Sequence, residues 1–393
     1  MTARPAQVAV LGATGSIGRS TLEVIAALPE RFEVYGLSAH SQWQLLLQLA
    51  KGCQPRCLVL SGAPHGWQPP EAVPPWSDAP GRWLRGAEAL VELASDPQVD
   101  IVVAAIVGRA GLESTLAAAE AGKRIGLANK ESLVVAGSLV TAACQRGGAE
   151  LLPVDSEHSA IFQALRGASA GAEVRRVILT ASGGGLRNTP LEQLASVSVE
   201  QALRHPTWEM GPKITIDSAT MMNKALEVIE AAWLFGLRAD QIEVVVHPQS
   251  IVHSMVEFCD GSVLAQLSPP DMRLPIQYAL TFPERLACPA PSIDWTRPLT
   301  LNWEPADRQR YPALELGFEV VRRGGSCGAV LNAANEAAVA LFLEHKIGFQ
   351  DITAVCRAVL EAHTYDPSPG LVDLMNADGW ARRQVSQWAG VTI

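Results

Sequence analysis

The sequence predicts a multidomain α/β protein that opens on a doubly wound parallel sheet, continues as an α+β region and ends in helices. Three observations carry that expectation. With 393 residues, the chain exceeds what one hydrophobic core normally serves, so two or three domains are expected. Through its first third, short apolar runs alternate with Ala- and Leu-rich periodic segments, the pattern of β-α-β units. Past residue 150 that alternation gives way to strand-like pairs, and past residue 312 to helical periodicity alone.

Residues 7–12, QVAVLG, read as a buried parallel strand, with a helix expected over 16–27. FEVYGL (32–37) is a second strand, and the periodic WQLLLQLAKG follows it. VDIVVAAIVG (99–108) and KRIGLAN (123–129) continue the strand series, with LESTLAAAEAG as the crossover helix between them. Residues 61–83 carry six prolines and are expected to form a surface loop. Farther on, VRRVILTASGGG is a strand running into a glycine turn. SIVHSMVEF and GSVLAQLS flank Cys-Asp-Gly as an antiparallel pair, and NKALEVIEAAWLFG is helical. Residues 283–312 are punctuated by Pro and Trp and lack periodicity, as a linker would be.

Composition excludes several classes of function. A formal charge of −9 disfavours a nucleic-acid or acidic-membrane surface, since both require clustered Lys and Arg. No apolar run approaches the ~20 residues of a membrane span. The seven cysteines (53, 57, 144, 259, 288, 327 and 356) are scattered, and the only close pair is CxxxC, which suits neither zinc nor a redox motif. The first residues show no secretory pattern, so a cytoplasmic protein with reduced thiols is expected.

Gly12, Gly15 and Gly18 in LGATGSIG directly follow a strand and open a helix, where bare backbone can approach a pyrophosphate. The spacing is GxxGxxG rather than GxGxxG, and a tight turn without a ligand is the competing reading. In its β-α-β context the motif predicts a Rossmann-like nucleotide domain. The second strand ends in Ser38, Ala39, His40 and Ser41, with no acid to bind a ribose 2′-hydroxyl, which favours NADPH over NADH.

Two further stretches concentrate polar chemistry. In LPVDSEHSAIFQAL, Asp155 and Glu157 offer hard oxygen ligands suited to Mg²⁺ or Mn²⁺, on one side of the chain if the backbone there is extended. The same residues also suit a helix N-cap with Glu157 in the first turn. In HPTWEMGPKITIDSATMMNKALEVIE, Ser218, Asn223 and Lys224 are three donors for a phosphate, and Glu227 is a third possible metal ligand. Taken singly, Ser218 and Asn223 are better explained as caps, and Lys224 and Glu227 as solvated helix charges. Trp208 and Met210 lie in a Pro/Gly-bounded loop, either as a lid or as a hydrophobic staple. Ser182 in ASGGG opens a candidate phosphate nest.

In this order, LGATGSIG, AIVGRAGL, LANKESLV, LPVDSEHSAIFQ, TASGGG, HPTWEMGPKITIDSATMMNKALEVIEA and VHPQSIVHSMVEF closely resemble the 1-deoxy-D-xylulose 5-phosphate reductoisomerase family, over essentially the whole chain. The resemblance implies a homodimeric enzyme that uses NADPH and a divalent metal, Mg²⁺ or Mn²⁺, to rearrange a ketose phosphate and reduce the resulting aldehyde to 2-C-methyl-D-erythritol 4-phosphate, in non-mevalonate isoprenoid synthesis. It implies an NADPH domain over 1–150, a catalytic domain with the dimerisation sheet over 151–285, a linker over 286–311 and a helical domain over 312–393. Asp155, Glu157 and Glu227 are then metal ligands. Ser182, Ser218, Asn223 and Lys224 hold the phosphate, and Ser156 and Lys130 contact substrate hydroxyls. His205 is at the lid hinge, with Trp208 and Met210 closing over the substrate. Thr14, Gly15, Ser16, Ile17, Asn129, Glu131 and Gly211 match cofactor positions, as do His40, Ser41 and Gln42, although Ser41-Gln42 replaces a Lys-Asn-like pair there. His158 receives only a structural role in the first helical turn.

Rival enzymes fit less well. A short-chain dehydrogenase needs YxxxK, but Tyr35, Tyr278, Tyr311 and Tyr365 are followed at that spacing by Ala39, Phe282, Glu315 and Pro369. No cysteine sits in a turn suited to a semialdehyde dehydrogenase nucleophile. A nucleotide-sensing protein has no use for three carboxylates beside a phosphate site.

Overall fold

The computed structural model describes residues 4–391, apart from 64–65, 68–81, 167–172, 207 and 209. The chain forms two compact units. The first comprises Met1–Ser132, Val140–Ser159 and Asp271–Pro291; the second comprises Leu133–Leu139, Ala160–Pro270 and Ser292–Ile393.

The first unit is the expected doubly wound domain. Its strands are β1 (Ala6–Leu11), β2 (Phe32–Ala39), β3 (Cys57–Leu60), β4 (Arg82–Arg85), β5 (Ile101–Ala104), β6 (Arg124–Leu127) and β7 (Glu150–Pro153). They form one sheet in the order β4-β3-β2-β1-β5-β6-β7, and every neighbouring pair is parallel. β3 and β5 are wholly buried runs of apolar and β-branched residues, as a sheet covered on both faces requires. Strand order reverses between β1 and β5, which creates the crevice at the carboxyl ends where ligands bind in such sheets. The helix expected over 16–27 is Ser16–Ala27.

Three boundaries differ from the sequence reading. Most of the proline-rich loop lies outside the described residues, but Arg82 and Trp83 at its end already belong to β4. The first unit does not stop at 150, because β7 pairs with β6 through Leu127 and Pro153. Helix Arg273–Thr281 also belongs to the first unit, where Arg273 meets Asp271 at 2.6 Å and Glu23 at 3.3 Å. Nearby, Arg31 and Glu284 pair at 2.9 Å.

The second unit holds β8 (Val174–Ala181), β9 (Ile242–Val246), β10 (Val252–Phe258), β11 (Val263–Leu267) and β12 (Glu304–Pro305), in the order β11-β10-β8-β9-β12. The expected β10–β11 hairpin is present and antiparallel. Its turn carries Gly261 at φ +86°, and Asp260 accepts the Ser262 amide at 2.8 Å. The linker contributes β12 to this sheet. Helices Cys327–Leu343, Phe349–Ala362 and Leu371–Trp388 form the expected helical end. Helix Ala313–Arg323 approaches helix Met222–Phe235 so closely that a Cβ at Gly317 would lie 2.4 Å from the Ala225 carbonyl oxygen. Leu226, Ile229, Leu316, Val330, Leu331 and Ile352 form part of the buried core around this contact. No helix among the described residues is long and apolar enough to cross a membrane.

Candidate active site

In the first unit, the residues singled out from sequence follow the carboxyl ends of adjacent strands. Gly12 adopts φ +86°, and a Cβ there would lie 2.5 Å from the Ala105 carbonyl oxygen. A Cβ at Gly18 would collide with Gly12 and Ala13, so that glycine lets the helix sit against the turn. Gly15 differs: a Cβ there meets only the Gly12 oxygen, at 3.4 Å, leaving the helix N-terminus open. Its backbone starts helix Ser16–Ala27 without any side-chain cap hydrogen bond. That arrangement suits an anion, with Thr14, Ser16 and Ile17 beside it.

Ser38, near the end of β2, is buried, and its Oγ accepts the Gly12 amide at 2.9 Å, so it supports the glycine turn. His40, Ser41 and Gln42 are exposed just beyond β2. The His40 Nδ1 lies 3.3 Å from the Ser61 hydroxyl. A Cβ at Gly62 would sit 2.3 Å from the imidazole, so the glycine makes room for the ring.

Lys130 and Asp155 follow the paired strands β6 and β7, and Lys130 Nζ lies 2.5 Å from Asp155 Oδ2. The backbone at 155–157 is not the extended stretch that would place both acids on one side, because a helix begins at Ser156. Asp155 immediately precedes that helix and Glu157 lies in its first turn, yet carboxylate oxygens of the two still approach within 4.8 Å. Ser156 Oγ donates to Glu157 at 2.5 Å. His158 is fully buried in the same first turn. Asn129 is buried and caps its own helix, accepting the Ser132 amide at 3.1 Å and donating to the Gly108 carbonyl at 2.8 Å. Glu131 is buried beside it and accepts from Asn129 at 3.1 Å.

In the second unit, the turn after β8 is built on two glycines in left-handed backbone, Gly183 at φ +82° and Gly184 at φ +70°. A Cβ at Gly184 would strike the Ser218 carbonyl oxygen at 2.5 Å, and one at Gly185 would overlap the Arg204 carbonyl oxygen at 1.8 Å. The nest is thereby pressed against both Ser218 and the residue preceding His205. Ser182 Oγ accepts the Gly184 amide at 3.1 Å and lies 3.2 Å from His205 Nε2. His205 Nδ1 accepts the Trp208 amide at 2.9 Å, so the ring proton belongs on Nε2, directed at Ser182. Burial lowers the pKa of His205 and favours this neutral ring.

Ser218 lies in helix Pro212–Thr220, and Asn223 and Lys224 lie in the first turn of helix Met222–Phe235. Met221 joins the two helices at φ +60°, a left-handed conformation that is strained for a buried methionine. Asn223 and Lys224 both contact the Glu227 carboxylate, whose residue is 1% exposed. Trp208 and Met210 are half-buried, and Gly211 precedes the first of these helices. Sequence reading missed the supports of the nest. Arg187 donates to the Ser182 carbonyl at 2.9 Å, Tyr311 to Gly183 at 3.1 Å, and Arg310 to Leu186 and Thr189 at 3.2 and 2.7 Å.

Three family models match the chain. "1-deoxy-D-xylulose 5-phosphate reductoisomerase" covers residues 8–137, its "C-terminal domain" covers 151–235, and the "DXP reductoisomerase C-terminal domain" covers 267–384. A 1-deoxy-D-xylulose 5-phosphate reductoisomerase of Rhodopirellula baltica is 52% identical over 99% of this chain and 96% of its own length. The chain belongs to the 1-deoxy-D-xylulose 5-phosphate reductoisomerase family. The family enzyme of Heliobacterium modesticaldum is 51% identical, over 98% of this chain and 97% of its own. Among solved structures, the Zymomonas mobilis reductoisomerase in complex with NADPH superposes with a TM-score of 0.90 at 45% identity, covering 98% of this chain and 99% of that one. A reductoisomerase in complex with NADPH, fosmidomycin and magnesium follows at TM-score 0.89 and 42% identity, covering 98% of each chain. The reductoisomerase family and the α/β fold expected from sequence are both borne out.

Proposed function

We propose that the protein converts 1-deoxy-D-xylulose 5-phosphate to 2-C-methyl-D-erythritol 4-phosphate with NADPH and Mg²⁺ or Mn²⁺. The observation that carries this reading is 52% identity to a family enzyme over 99% of the chain, with a glycine nest built beside Ser218.

The donor set suits a hard divalent cation: two carboxylates at the start of one helix and a third, Glu227, on another. When bound by Asp155, Glu157 and Glu227, the ion supplies Lewis acidity at the substrate ketone and neighbouring hydroxyl. Lys130 and Ser156 orient the substrate hydroxyls. Ser182, Ser218, Asn223 and Lys224 hold the phosphate, with Asn223 and Lys224 turning to it from Glu227. This remote anchoring positions the reacting carbons. His205 holds the hinge through Ser182 and Trp208, while Trp208 and Met210 cover the substrate and exclude water. NADPH supplies the hydride. Thr14, Gly15, Ser16 and Ile17 would take its pyrophosphate, His40, Ser41 and Gln42 its 2′-phosphate, and Asn129, Glu131 and Gly211 would shape the remaining cofactor wall.

The working form is a cytoplasmic homodimer. Supporting this, β11 is an edge strand on which Val263 and Leu264 remain 47% and 46% exposed, as a strand paired in an assembly would be. Incubating the protein with 1-deoxy-D-xylulose 5-phosphate, NADPH and Mg²⁺ or Mn²⁺ should consume NADPH and yield the methylerythritol phosphate. Chelation of the metal should stop the reaction. NADPH consumption without that product, or turnover indifferent to chelation, would refute the reading.

A further inference from the structure

Helix Pro212–Thr220 contains one buried acid that the proposed chemistry does not use. Asp217 is 1% exposed, next to Ser218. It meets Lys213 Nζ at 2.7 Å, one turn back, and accepts from Asn335 Nδ2 at 2.9 Å. Lys213 is the second residue of this helix, directly after the 205–211 segment, whereas Asn335 lies in helix Cys327–Leu343. The charge of Lys213 also acts on Glu336, the neighbour of Asn335 in that helix. Glu336 accepts from Asn332 at 3.0 Å and from Arg382 at 2.6 Å, and Arg382 is held by both oxygens of Asp378 at 2.8 and 3.0 Å. Burial opposes ionisation of Glu336, but hydrogen bonds from Arg382 and Asn332 and the charges of Lys213 and Arg382 outweigh it, and its pKa falls below the ordinary carboxylate value.

Alternating charges of this kind are a poor way to stabilise a core, because apolar side chains of similar volume do as well or better. What such a chain does supply is register, since each partner accepts one arrangement only. Here the register is that of the helix carrying Ser218 and continuing from the lid. At its far end the same helix is held by the strained Met221 turn, which leads into Asn223 and Lys224.

We propose that Asp217, with Lys213 and Asn335, is a positioning residue through which the C-terminal helices set the sugar-phosphate site. This deepens the functional reading above and rests on Ser218 being a phosphate ligand. A helix free to rotate or slide would carry Ser218 away from the nest at Gly184 while leaving the nucleotide turn of the first unit unchanged.

The test is steady-state kinetics on the full-length enzyme with its metal, varying each substrate in turn. Asp217→Asn should raise the KM for the sugar phosphate about tenfold and leave the KM for NADPH within about twofold. Arg382→Met, at the far end of the chain of contacts, should do the same more weakly, and it covers the case in which Asp217→Asn fails to fold. The exchange Asp217→Asn with Asn335→Asp returns a carboxylate–amide pair to the same two helices and should recover most of the affinity. Three results would overturn the proposal: an unchanged sugar-phosphate KM in both single variants, equal rises for both substrates tracking a lower Tm, or no recovery in the exchange. Ser218→Ala separates the two layers. If it leaves the sugar-phosphate KM unchanged, the phosphate assignment itself fails. If it raises that KM while the network variants do not, only the positioning role fails.

Discussion

The turn after β1 and the turn after β8 both place glycines at the end of a strand, yet they use them differently. In the first, Gly12 and Gly18 are consumed by packing, and Gly15 alone leaves space over the helix N-terminus. Main-chain amides and the helix dipole are what that turn offers an anion. In the second, Gly183 and Gly184 take left-handed backbone and press the nest onto Ser218. Around them stand a serine, a histidine and, at the next helix start, Asn223 and Lys224. A cofactor that must leave after every turnover is suited by the first design. A small phosphate that must position reacting carbons is suited by the second, in which side chains converge and their geometry matters.

The sharpest break in that comparison is Glu227→Gln. Glu227 gathers Asn223 and Lys224 and is a proposed metal ligand. kcat/KM should fall on the order of a thousandfold, about 4 kcal/mol of transition-state stabilisation. NADPH affinity, measured by quenching of protein fluorescence, should be unchanged. Activity near that of the wild type would remove Glu227 from the metal site. Next comes Gly184→Ala, where the new methyl meets both a positive φ and the Ser218 carbonyl oxygen at 2.5 Å. The KM for the sugar phosphate should rise about thirtyfold, about 2 kcal/mol, with the NADPH KM unaffected. Gly15→Ala is the counterpart in the other turn. Its backbone is ordinary at φ −74°, so stability should hardly change. A methyl over the helix N-terminus should raise the NADPH KM about fivefold and spare the sugar phosphate. If the two alanine variants affected the same substrate, the division of labour between the turns would be wrong.

Local features of this design were legible in the sequence. Gly12, Gly15 and Gly18 follow an apolar run and open a periodic one, so their turn could be read directly, and the helix from Ser16 to Ala27 fell where its periodicity placed it. Ser182, Ser218, Asn223, Lys224 and Glu227 were visible as donors and acids, though singly Ser218 and Asn223 also suit caps, and Lys224 and Glu227 solvated helix charges. What stayed hidden depends on contacts across long stretches of chain. Tyr311 reaches Gly183 and Arg310 reaches Leu186 over more than a hundred residues, a separation that leaves no periodic trace. The return of helix Arg273–Thr281 to the first unit is hidden for the same reason. The role of Ser38 is hidden too, because only the fold shows its hydroxyl turned inward to Gly12.

The smallest expected effect concerns His205, and it tests whether the second turn relies on a particular protonation state. Burial holds the His205 pKa below its ordinary value, so the folded protein binds fewer protons at this residue than the unfolded chain does. Its contribution to stability is therefore intact above the unfolded value of about 6.5 and is lost as pH falls below that value toward the lowered folded pKa. Protonation also acts on the site. A proton arriving on Nδ1 displaces the Trp208 amide from its 2.9 Å hydrogen bond and loosens the hinge, while Nε2 still faces Ser182. The sugar-phosphate KM of the wild type should rise a few-fold on acidification through that window. In His205→Gln, where the amide can keep one of the two contacts and cannot titrate, the KM should start higher and stay flat over the same range. The NADPH KM, to which His205 makes no proposed contribution, should follow the same course in both proteins. A wild-type profile for the sugar phosphate that is already flat would show that the neutral imidazole is not what holds the hinge.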